Sequence, residues 1–225
     1  MRPINQQLEE IIKNAYELFG NYNIGKTLVL CTACCVTDEE EKELVKTPLK
    51  KVSKQLLQGA YYQSARDFSE QELWEMKHFL PRVLELVNNF EFPCLSPEIT
   101  FTRLDLNETE KWTKEEAELL KDFSLAYFRK CLSIYPLPTN PFPEKISSII
   151  VMFGISYFDL KPILNEWTKM VNVESILHFK NLIFEDIKYE AQEPQKLKNS
   201  FSTPEVDKIV IDWLKENDSN WSFLV

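Results

Sequence analysis

Apolar residues recur three and four positions apart along most of the chain, with charged residues in the gaps. Ile4, Leu8, Ile11, Ile12, Ala15, Leu18 and Phe19 form one such stripe, with Glu9, Glu10, Lys13 and Glu17 between them. This is the spacing of an amphipathic helix, and Gly20 is its expected end. Leu28 to Val36 is apolar throughout, so periodicity does not separate a short buried strand from a buried helical turn. Thr37 with Glu40 makes a capping box for a short acidic helix, and Thr47-Pro48 is a second start signal, for a helix burying Leu49, Val52, Leu56, Leu57, Ala60 and Tyr61. Ser69 and Glu72 open another helix through Leu73, Met76, Phe79 and Leu80, which Pro81 is expected to kink or end before a further piece carrying Val83 to Val87.

Between Glu91 and Leu106 the pattern breaks. Pro93 and Pro97 flank Cys94, and Ile99 and Phe101 alternate with threonines, which predicts an extended connector with at most a short strand. Helical spacing then resumes. Thr113 and Glu116 start a long helix through Tyr127 and Cys131, prolines from Pro136 to Pro143 mark a loop, and helices are expected over 146–153, 160–170, 176–187 and 206–214. Thr203-Pro204 opens the last, and the apolar tail Trp221 to Val225 is expected to dock.

The expected fold class is therefore all-α: an irregular multi-helix bundle or stacked helical pairs, with at most a short strand or extended connector. It reads as a single globular domain over 1–225, with possible halves 1–90 and 107–225 joined by 91–106. Only 4 of the 225 residues are Gly, which argues against an all-β fold built on many tight turns.

The net charge of -9 disfavours a phosphate backbone as a direct partner. No apolar run reaches the length of a membrane span, and the acidic N-terminal segment does not read as a signal peptide. An odd, clustered set of 5 Cys suits a reducing compartment, so a cytoplasmic location is expected.

Three constellations suggest chemistry. Gly20, Gly25, Lys26 and Thr27 match the phosphate-loop pattern, where glycines allow close backbone approach, Lys reaches the phosphates and the hydroxyl takes Mg²⁺. That chemistry also needs a strand before and a helix after, and the preceding segment is helical. The simpler reading is a helix end followed by a turn, with nucleotide binding as the alternative. Cys31, Cys34 and Cys35 include one metal-type pair, but no second pair follows; buried core is the simpler reading and metal the alternative. Glu75 and His78 have the spacing of a di-iron helix, which would need a second copy, so a surface Glu–His pair is expected. No cofactor and no metal are expected.

The acidic run Asp38, Glu39, Glu40, Glu41 and Glu43 is either a solvated helix start or an electrostatic docking surface for a basic partner. The strings Leu30 to Val36, Thr47 to Leu49 and Phe79 to Leu86 resemble a group of helical bacterial proteins similar to the immunity proteins encoded beside secreted polymorphic toxins. That resemblance spans the first half of the chain. It implies a cytoplasmic, helical, non-catalytic protein whose partner is a toxin domain.

Overall fold

The computed structural model describes residues 3–33, 35–139 and 143–217; Cys34, Pro141 and the tail Trp221 to Val225 lie outside them. The chain is helical over most of that length, as its periodicity predicts. Helix α1 (Ile4–Leu18) ends in a single 3-10 turn, Phe19–Asn21, that carries Gly20. Helix α2 (Asp38–Lys46) starts on the Thr37–Glu40 capping box, present in both directions. At Thr47-Pro48 the expected helix yields only one 3-10 turn, Leu49–Lys51. The true start is Ser53, whose hydroxyl accepts the Leu56 N–H and caps α3 (Lys54–Leu57), which runs on into a π-helical turn, Gln58–Tyr62.

Helix α4 (Glu70–Asn88) does not end at Pro81 but continues to Asn88. An interior proline costs about 3 kcal/mol. Here Phe79, Leu80, Val83, Leu84, Leu86 and Val87 are all buried around it, and that apolar burial outweighs the lost hydrogen bond. Only half of its expected capping box forms: Ser69 accepts the Glu72 N–H, but the Glu72 carboxylate turns to Phe68 N–H and to arginine.

The stretch 91–106 is not an extended strand. It folds into 3-10 turns at Pro97–Ile99 and Thr102–Leu104, with Thr100, Phe101 and Leu104 fully buried. Its apolar residues point inward because the phenyl ring of Phe101 stacks on Phe153, with 6.0 Å between centroids. Helix α5 (Lys114–Leu132) follows on a complete Thr113–Glu116 capping box. Helices α6 (Ile146–Gly154), α7 (Leu160–Lys169) and α8 (Val173–Asn181) come next, and α9 (Pro204–Glu216) closes the described part.

The predicted helix over 176–187 stops early. After α8 a π-helical turn covers Leu182–Asp186, and Ile187 begins a strand. Strand β1 (Ile187–Glu190) pairs antiparallel with β2 (Glu193–Leu197) through a two-residue turn, Ala191 and Gln192, both at positive φ. Only Ile187 and Leu197, which face each other at the base, are buried.

One apolar cluster runs from Leu8 to Leu214 and draws on both candidate halves. Helix α1 packs against α4 and α5 alike. Among the described residues no helix is long and apolar enough to cross a membrane.

Candidate functional site

The loop between α1 and α2 holds two of the three suspected constellations. It is fastened from below by polar side chains. Glu41 on α2 accepts the Leu28 N–H at 2.6 Å, and both oxygens of Glu75 on α4 accept the Val29 N–H, at 3.0 and 3.1 Å. Ser64 accepts the Cys31 N–H at 2.6 Å, while the Cys31 carbonyl closes a turn onto the N–H groups of Cys35 and Val36.

This geometry settles the context of Gly20, Gly25, Lys26 and Thr27. Helix α1 precedes them, Gly20 lies in the 3-10 turn that ends it, and among the described residues no helix begins between Gly25 and Asp38. A phosphate loop aims free backbone N–H groups at its anion. Here the N–H groups just past Thr27 already point at two of the protein's own carboxylates, which repel phosphate. Gly25, Lys26 and Thr27 are exposed on the outer side of the loop.

The cysteines divide. Cys31 and Cys35 are half-buried on the same loop. Among the described residues no group of three His, Cys, Asp or Glu side chains is placed to hold a metal ion. Cys94 and Cys131 lie apart in the core, where burial pushes their thiols up to about 11 and about 12 and keeps them neutral.

Glu75 and His78 are not a surface pair. Glu75 is fully buried beneath the loop, while His78 turns to the Tyr22 carbonyl, with Nδ1 at 2.6 Å from the oxygen. That distance makes Nδ1 the protonated nitrogen, since a carbonyl only accepts. Burial holds the imidazole below its ordinary pKa and the Glu75 carboxyl above its own. His178 likewise faces a backbone carbonyl, that of Ile134, at 2.7 Å.

Helix α4 carries a belt of buried charge that the sequence pattern did not disclose. Glu72 pairs with Arg103 and with Arg66, and Arg66 in turn forks onto both oxygens of Asp105, at 3.1 and 2.6 Å. Further along, the Lys77 ammonium donates to Glu116 at 2.9 Å and to the Lys111 carbonyl at 2.6 Å, and it sits 4.2 Å above the Trp112 ring. The Tyr22 hydroxyl donates to the same Glu116 at 2.5 Å. Each charge has a partner within hydrogen-bond reach, so the belt acts as a clamp between α4, α5 and two loops.

The acidic face of α2 is smaller than the run of acids suggests. Asp38, Glu39, Glu40 and Glu43 are exposed, whereas Glu41 is only 8% exposed and spends its carboxylate on Leu28. Glu41 therefore does not belong to a contact surface; its position one turn from Leu44 puts it on the inner stripe. Glu40 accepts from the Thr37 backbone and hydroxyl, which lowers its carboxyl below the usual range. Lys42 and Lys46 stand exposed on the same helix, so negative charge concentrates at its first turn.

No protein-family profile matches this chain, and no curated protein or solved structure proved similar to it.

Proposed function

We propose that the chain is a non-enzymatic binding protein that neutralises a basic toxin domain in the bacterial cytoplasm, as an immunity protein does. One observation carries this reading: α2 presents Asp38 and Glu39 of its first turn, and Glu43 one turn further on, to solvent on a rigid mount. The mount is firm because the helix is capped in both directions and because Leu44 and Glu41 are drawn into the body. Acidic residues at a helix N-terminus are favoured by its dipole, so displaying them there adds no strain to the free protein. Charge of this kind speeds encounter with a basic partner and sets specificity more than it deepens affinity. Neutralisation then follows from covering the partner's working surface. A reducing cytoplasm also suits the clustered Cys31, Cys34 and Cys35.

The reading expects a gene for a secreted toxin domain beside this one, and that domain is the probe of the test. Co-expressed with it, the wild-type chain should protect cells and bind with an on-rate that falls steeply with salt. The triple variant D38K/E39K/E43K, which leaves the Glu40 cap intact, should lose about tenfold or more in on-rate at low ionic strength. Equal protection and an unchanged salt dependence in that variant would reject the acidic turn as the contact surface.

A further inference from the structure

A cleft of about 200 Å3 opens between the first half of α5 and the turn that joins α6 to α7. Trp112, Leu120 and Phe158 supply apolar walls, and Tyr157, Lys121 and Asp159 line it with them. Trp112 is fixed in place by its indole N–H, which donates to the Leu104 carbonyl at 3.2 Å. An apolar cavity of about 150 Å3 is enough to hold benzene, whereas drug-sized ligands need about 300 Å3 or more. The volume therefore matches one aromatic ring.

Tyr157 is the least expected of these residues. The Phe158 N–H bonds to the Phe153 carbonyl, and the Tyr157 N–H to that of Gly154, both at 3.1 Å. Those two bonds end α6 in a Schellman motif, with residue 157 at the left-handed position, φ 63°. Glycine fits there without strain, and a tyrosine does not. Tyr157 is 64% exposed, so the core gains little from it. What the ring does is form a wall of the cleft.

The charges at the cleft are unequal in their commitments. Asp159 accepts the Lys161 N–H at 3.1 Å as the N-cap of α7. The Lys121 ammonium has no hydrogen bond or ion pair among the described residues. Asp159 keeps its negative charge but turns it to the N-terminus of α7, so the ammonium is the charged group left to meet a ligand. We propose that this cleft is a binding site for a small monocyclic aromatic carboxylate, its ring between Trp112 and Tyr157 and its carboxylate at Lys121. The site is independent of the acidic turn of α2.

Phenylacetate, phenol and phenethylamine, titrated against the full chain, test the proposal. The readout is the indole N–H resonance of Trp112, assigned with Trp112→Phe. Phenylacetate should shift it saturably, phenol about fivefold more weakly and phenethylamine more weakly still. Lys121→Gln should erase the advantage of phenylacetate over phenol. Tyr157→Gly should raise the thermal midpoint, because glycine relieves the left-handed position, and yet weaken both ligands about tenfold. Ala117→Leu, which fills the cleft from α5, should abolish binding with the helix content unchanged. No saturable shift with any of the three, undiminished binding in Ala117→Leu or in Tyr157→Gly, or equal affinity for phenol and phenylacetate would each overturn it.

Discussion

Gly154 shows how tightly single positions are constrained. A Cβ added there would lie 2.6 Å from Cγ2 of Val206, closer than carbon atoms approach, and 3.0 Å from Cδ1 of Leu160, a tight contact. Helix α6 therefore lies against α9 and the start of α7 with no room for one methyl group. Overpacking of this kind costs about 1–3 kcal/mol. Gly154→Ala should lower the thermal midpoint by several degrees, on the order of 2–4 °C for each kcal/mol in a chain this long. Val206→Ala in the same chain should recover part of the loss, and the double-mutant cycle measures how much. If Gly154→Ala melts like the wild type, the close contact with α9 is wrong. At the same scale, Glu75 and Glu41 show why a carboxylate in a polar-looking stretch need not face water. Each sits on the inner side of its helix because it has backbone N–H groups of the loop to accept.

At the scale of elements, the helix starts were legible and the fastenings between elements were not. Thr37, Thr113 and Thr203 each cap the helix that their local sequence announces, since a cap is an interaction within four residues. The hairpin was missed because Lys188 to Lys196 neither alternates nor carries a glycine turn; Ala191 and Gln192 take the left-handed positions instead. The belt on α4 was missed because Glu72, Glu75 and Lys77 find partners 31 to 46 residues away, a separation that no local pattern records. Three side chains, His78, His178 and Glu75, predict a pH response. Burial lowers His78 and His178 below the ordinary 6.5. For a histidine depressed in the folded state, stability is fully present above the unfolded pKa and is lost as pH falls through the folded one. Glu75 has the opposite sign: it is raised above 4.5, so its contribution is complete below that value and is lost as pH rises. Urea midpoints measured from about pH 7.5 down to about 5.5 should therefore fall less steeply in the double variant His78→Gln/His178→Gln than in the wild type. Glu75→Gln should gain on the wild type as pH rises, because its amide oxygen still accepts the Val29 N–H without carrying charge. Parallel curves in all three proteins would refute the assignment of buried neutral imidazoles.

For the whole molecule the question is whether 1–90 and 107–225 behave as separate bodies. Their contact is made of packing and of charge together. Helix α1 lies on α4 and α5 at once, Arg129 on α5 donates to Gln7 on α1 at 3.0 Å, and Tyr16 on α1 donates to Glu85 on α4 at 2.8 Å. Across the divide, Lys77 and Glu116 pair with side chains only 5% and 3% exposed. Removing one member of such a pair leaves an uncompensated charge and costs about 3–5 kcal/mol, whereas replacing both by apolar residues is often close to neutral. Lys77→Met and Glu116→Leu alone should each be strongly destabilising, and the combined variant should recover the part owed to the unpaired charge but not the part owed to the Tyr22 hydroxyl, the Thr113 N–H and the Lys111 carbonyl. If the two halves were independent, the same substitutions would disturb one half and leave the other's transition in place. The arrangement predicts instead that urea unfolding followed by far-UV circular dichroism and by indole emission traces one curve, shifted as a whole in each variant. It also predicts that residues 1–90 expressed alone show no cooperative transition, since α1 would lose α5, one of the two helices it packs against. Two separated transitions, or a cooperatively melting N-terminal fragment, would mean that the core shared through α1 is not what holds the chain together.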